Sequence, residues 1–172
     1  MKQIMMTLLV LVLTLLPMSL VFGSKARDSF GVNSANISGF PTGVASLTGG
    51  GAYQLQGNFI RAGGSFKCTA DIQQGPLTGC LAGQGVRWDP VALLVSTTFK
   101  CTGADGETLK TAVTDDNTVA MVADFYREGD GVDESFTAKM FVSAVDEAPD
   151  LNGDQKVWIQ GVGCGDAIAN FN

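Results

Sequence analysis

Asp150-Leu151-Asn152-Gly153-Asp154 sets side-chain oxygens at alternate residues, Asp150, Asn152 and Asp154. A calcium-binding loop begins this way, because a hard divalent cation collects carboxylate and amide oxygens from alternating positions. The pattern then stops. Gln155 stands where such a loop needs glycine for its sharp turn, and Gly161 stands where a bidentate glutamate would close the shell. An Asn-Gly turn with solvated carboxylates is the favoured reading. Calcium is expected only if other loops complete the site, and no other cofactor is indicated.

A second constellation is Arg87, Trp88, Asp124 and Tyr126. Asp124 is an acid placed within an extended run rather than in a turn, with Tyr126 on the same face. Arg87-Trp88-Asp89 puts opposite charges on either side of an aromatic. Facing a common cavity, these four residues would form a polar ligand site or an acid/base site. Glycosidase chemistry needs two carboxyls roughly 5–10 Å apart in a cleft, and the other acids lie in short turns. Asp124 is better read as a cross-strand partner of Lys139, and Trp88 as a core anchor beside a helix cap. Trp158 is likewise read as core. The chain has no His, which removes the usual neutral-pH acid/base and the common Ser-His and Cys-His machinery. No catalytic residue is assigned, and the balance leans away from an enzyme.

Cys68, Cys80, Cys101 and Cys164 form an even set. In an exported chain such a set implies disulfides. The favoured pairing is Cys68–Cys80 across the Pro76 turn with Cys101–Cys164 tying in the C-terminus, and the rival pairs Cys68 with Cys101. A zinc site or a redox pair lacks both a C-x-x-C and a His ligand.

The elements that must position these groups are strands. In 118–127, Val119, Met121, Ala123 and Phe125 alternate with Ala120, Val122, Asp124 and Tyr126; in 135–145, Phe136, Ala138, Met140 and Val142 alternate with Thr137, Lys139, Phe141 and Ser143. Side chains on a strand alternate faces, so each run has one apolar face and one mixed face. Runs at 109–114 and 156–162 flank this pair, which predicts a four-strand antiparallel meander with acidic turns. That meander would bring Asp115, Asp116 and the 146–154 loop to one end, and Asp105, Glu107, Asp130, Asp133 and Glu134 to the other. The connector 128–134 reads as a turn. Phe66-Lys67-Cys68-Thr69 recurs as Phe99-Lys100-Cys101-Thr102, with aromatic and cysteine expected inward and lysine outward. Asp89-Pro90 suggests a helix N-cap and first turn, so one short helix is predicted near 89–95. Residues 167–171 read as a closing strand. The fold class is all-β: an antiparallel meander closed as a β-barrel or packed as a β-sandwich.

The N-terminal 1–23 has a basic Lys2, an apolar run and small residues after Pro17, the pattern of a cleaved signal peptide. A retained membrane anchor is the alternative. Residues 24–48, rich in Gly, Ser and Asn, read as a flexible arm, and 49–172 as one β-domain. With 17 acidic against 11 basic residues and a net charge of −6, the chain lacks the footprint of a nucleic-acid binder. The expectation is a secreted or periplasmic module that binds a small molecule, a glycan or a protein without catalysis and without a stable membrane span after cleavage. The alternatives are a small β-barrel enzyme of cyclase, isomerase or hydrolase type and a calcium-dependent adhesin.

Overall fold

The computed structural model describes residues 27–39, 43–128 and 135–172. Its strands are β1 (Asp28–Gly39), β2 (Val44–Gln54), β3 (Phe59–Cys68), β4 (Arg87–Leu94), β5 (Ser96–Phe99), β6 (Lys110–Val113), β7 (Thr118–Tyr126), β8 (Ser135–Ser143), β9 (Val157–Ile159), β10 (Gly163–Gly165) and β11 (Ile168–Phe171). The main sheet runs β10-β9-β8-β7-β4-β3-β2-β1-β11, and β10 also pairs with β1. That extra pairing, Ser38 opposite Cys164 and Gly39 opposite Gly163, closes an eight-stranded antiparallel barrel with β11 as an added strand. Residues 1–23, expected to be a signal peptide, and most of the expected 128–134 turn lie outside the described residues.

The alternation read from sequence sets the inside of this barrel. Val119, Met121, Ala123, Phe125, Ala138, Met140 and Val142 are buried together with Trp88, Tyr53, Leu47 and Ile37. Phe66 and Phe136 meet Phe125, the first edge-on at 5.1 Å and the second stacked at 5.5 Å. Side chains of this bulk fill an eight-stranded interior. One end of the mixed face of β7 and β8 is buried as well. Ala120 and Phe141 join Trp158, Phe99, Ala112 and the Cys101 and Cys164 side chains in a second, outer cluster. Both copies of the Phe-Lys-Cys repeat therefore turn aromatic and cysteine inward, one into the barrel and one beneath the outer hairpin.

Three expectations are corrected. The 89–95 segment is not helical: β4 pairs along its length with β7, Trp88 opposite Phe125 and Leu93 opposite Met121. Its register shifts between Pro90 and Ala92, and a bulge is where a strand tolerates a residue without an N–H. The 24–48 segment is not a loose arm throughout, because it contributes β1 and the start of β2 to the barrel wall. Finally, β6 does not join the meander. It pairs with β5 in a separate two-stranded sheet, Phe99 opposite Lys110, laid over the outside of β7 and β8. Burying Phe99 and Ala112 against Phe141 and Trp158 is what draws the hairpin there.

Glycine makes the wall of β1–β3 possible. A Cβ on Gly64 would strike the Thr48 carbonyl oxygen, and one on Gly49 would come within 2.7 Å of the Trp88 ring. The indole lies against this bare backbone and donates from Nε1 to the Thr48 carbonyl at 3.1 Å. At Gly49 and Gly64 the missing side chain is a close-packing device.

Candidate functional site

The four residues proposed to share a cavity do not share one. Trp88 is fully buried inside the barrel. Arg87, Asp124 and Tyr126 belong to the opposite, outward face of β4 and β7, where Arg87 forms an ion pair with Asp89 and lies over the Tyr126 ring at 5.4 Å. Asp124 stands opposite Asp89 and Thr137. Lys139 stands opposite Val122, two residues along β8 from Thr137, the direct partner of Asp124, so it is a diagonal neighbour and not the expected cross-strand partner. The register between β7 and β8 decides this, and single-strand patterns carry no register.

The Asp150–Asp154 loop uses its oxygens internally. Asp150 Oδ2 lies 3.2 Å from Lys110 Nζ, and Asp154 Oδ2 lies 2.6 Å from Lys156 Nζ. Gln155 Nε2 donates to the Asn152 and Gly153 carbonyls at 3.2 and 3.0 Å. Asp146 Oδ1 accepts from the N–H groups of Ala148 and Gln155. Among the described residues, no three His, Cys, Asp or Glu side chains stand close enough together to hold a metal ion.

The cysteines pair as favoured, Cys68 with Cys80 and Cys101 with Cys164, at Cα separations of 6.3 and 4.8 Å. The second bridge anchors the outer hairpin to β10. Beyond Cys101 the chain wraps around Glu107. One carboxylate oxygen accepts from the Cys101 N–H at 2.7 Å. The other accepts from the Thr102 and Gly103 N–H groups at 2.9 and 2.8 Å and from the Thr102 hydroxyl at 2.6 Å. Burial alone would raise the pKa of Glu107, but these donors outweigh it and hold the carboxyl below its ordinary value. Lys110 Nζ, 3.9 Å from Glu107, links this clamp to Asp150. Glu107 is thus joined to the 146–154 loop instead of lying at the opposite end, because the hairpin crosses the barrel wall.

These anchors frame a surface groove of about 800 Å³. It lies over the seam where β1 meets β10 and β11. β1 carries a register shift between Ser34 and Ile37 there, which presents Ala35 and Asn36. Opposite stand Cys101 and Thr102 of the clamp and residues 151–155. The N–H of Lys156 donates to the Gly165 carbonyl at 3.0 Å. Beyond that bond the two chains part, and 166–168 face 152–155 across the opening. The polar groups include Asn36, Asn152, Asp154 and Asp166; Leu151 and Ile168 supply apolar surface. Lys156 is shared between the two carboxylates, 2.6 Å from Asp154 and 3.6 Å from Asp166. The Asp154 hydrogen bond, reinforced by Asp166, outweighs desolvation and holds the Lys156 pKa above its ordinary value. One ammonium against two carboxylates leaves the groove acidic.

Of the residues singled out from sequence, Asn152, Asp154, Cys101 and Cys164 line this groove. Asn36, Asp166 and Ile168 were missed as site residues. The only signal for them is the bulge, which depends on how β1 pairs with two different strands. Compared with known proteins, the chain gives no significant match to a family model, a curated protein or a solved structure, so its function must be argued from this seam.

Proposed function

We propose that this chain is an exported, non-catalytic binding module of the cell surface or periplasm, and that the seam groove is its ligand site. The observation that carries the reading is the groove itself. It is a concave surface of ligand size held by a disulfide, a buried glutamate clamp and an ion pair. Ligand sites combine apolar surface with a few fixed polar groups, and that is the composition here. The paired cysteines fit an oxidising compartment. Support for binding over catalysis comes from the side chains with acid/base potential. Arg87, Asp124 and Tyr126 lie on the outward face of β4 and β7, away from the residues that line the groove, and Asp154 is tied to a lysine. Calcium, if it contributes, would have to displace Lys156 or Lys110 from the loop carboxylates.

The test is ligand screening by NMR on the isotope-labelled mature chain, with oligosaccharides, small amines and short peptides as probes. The expected result is a probe whose shift changes cluster at 33–39, 151–155 and 164–168, and which is recovered chemically unchanged. Changes centred instead on Arg87 and Tyr126, or conversion of the probe to a product, would overturn the proposal.

A further inference from the structure

Among the described strands β11 pairs on one edge only, with β1, and its first residue, Ile168, lines the groove. Ser29 and Asn172 exchange both backbone hydrogen bonds, at 2.9 and 3.0 Å. The register continues with Gly31 opposite Asn170 and Asn33 opposite Ile168. Antiparallel pairs alternate between hydrogen-bonded and non-hydrogen-bonded. Ile168, Asn170 and Asn172 therefore direct their N–H and C=O groups at β1, and Ala169 and Phe171 direct theirs away from it. No described strand other than β1 pairs with β11. Ile168, 70% exposed, presents an apolar side chain beside this edge, and Asp166 and Asp154 add negative charge at the groove.

We propose that an extended peptide carrying apolar residues and at least one Lys or Arg adds as a strand to the free edge of β11 and lays alternate side chains into the seam groove. The proposal rests on the groove being the binding site and names the class of its occupant. Edge backbone groups supply affinity that does not depend on sequence, and the groove selects every second side chain. The charge complement is explicit, since two carboxylates share one lysine. The chain across the groove from Ile168 does not supply that edge with a partner, because the Gln155 N–H is bonded to Asp146 and the Asn152 and Gly153 carbonyls to the Gln155 side chain.

A display library of linear peptides, selected on the mature chain, supplies the probe; the enriched peptide is then resynthesised. Three results are expected. The peptide alternates apolar residues and contains Lys or Arg. N-methylation at every second residue weakens binding by about tenfold or more, as loss of a hydrogen bond should, while methylation at the intervening residues does not. Ala169→Pro, which removes an outward N–H and spares the bonds to β1, weakens binding similarly, with Asp154→Asn reducing affinity for the basic peptide. Should Ala169→Pro fail to fold, the N-methyl scan on the unaltered protein decides alone. Binding at the groove that ignores N-methylation, or groove shifts caused by an oligosaccharide when no peptide is selected, would refute strand addition and leave the module reading standing. A β11-mediated dimer that blocks peptide binding would also refute it. Failure of every probe to perturb the groove would remove both.

Discussion

Replacing Glu107 with Gln tests the clamp that holds the groove wall. The side chain is only 6% exposed and its carboxylate receives three backbone N–H groups and one hydroxyl. An amide can keep one oxygen toward Thr102 and Gly103, but then turns its NH₂ against the Cys101 N–H. One buried donor is orphaned, at about 1–3 kcal/mol, and the remaining bonds lose the strengthening that comes from an ionised acceptor. Together with the lost attraction to Lys110, a destabilisation of about 2–4 kcal/mol is expected at neutral pH. In urea this is a fall of roughly 1–2 M in the unfolding midpoint with the slope unchanged. The pH dependence has a definite sign. The folded Glu107 pKa lies below its ordinary value near 4.5. Its contribution is therefore full above that ordinary value and is lost as pH falls through the folded pKa. The gap between wild type and Glu107→Gln should close on acidification, because the wild-type carboxyl then becomes protonated too. Equal midpoints at neutral pH, or a gap that persists unchanged in acid, would refute the reasoning.

Two further outcomes follow. The bridge Cys101–Cys164 spans a sequence separation of 63 and Cys68–Cys80 a separation of 12, so the chain-entropy relation gives about 4.3 against about 2.8 kcal/mol; paired Ser substitutions should rank in that order by chemical denaturation, and non-reducing peptide mapping should recover both bridges. Burial, followed by the charges of Asp28, Asp115 and Asp116, pushes the Tyr53 phenol above its ordinary pKa of 10.0, and its hydroxyl donates to the Asp115 carbonyl at 2.5 Å. The stability it contributes is present below pH 10.0 and is lost as pH rises through the folded pKa. An ultraviolet titration of Tyr126→Phe should therefore show ionisation of Tyr53 only together with alkaline unfolding, and Tyr53→Phe should cost about 1 kcal/mol.

The all-β class was legible because alternation is a local property. Phe125, Ala123, Met121 and Val119 declare an inward face without reference to any other strand. The Cys68–Cys80 pair was favoured for a related reason, since the Pro76 turn returns the chain over a short span, whereas the rival pairing of Cys68 with Cys101 stayed open in the sequence and Cys101–Cys164, a separation of 63, is set by the fold. The helix expected at 89–95 came from reading Asp89-Pro90 locally, when the pairing of Trp88 with Phe125 outweighs a two-residue cap signal. β1 escaped notice because a bulge resets its phase between Ser34 and Ile37 and because Ser34 is buried at a position where an apolar residue would be expected.

The amino-acid order by itself determined that these runs extend, which sides of β7 and β8 are apolar, and that Phe66, Cys68, Phe99 and Cys101 turn inward. Only the tertiary structure decided that β1 closes the wall against β10, that β5 and β6 fold over the outside, and that Asn36, Asp154 and Asp166 meet at one groove. The physical reason is range. A face is set by neighbours two residues apart, whereas closure and register are set by contacts such as Ser38 with Cys164 and Trp88 against Gly49, which join residues far apart in the chain and exist only once the sheet has curled.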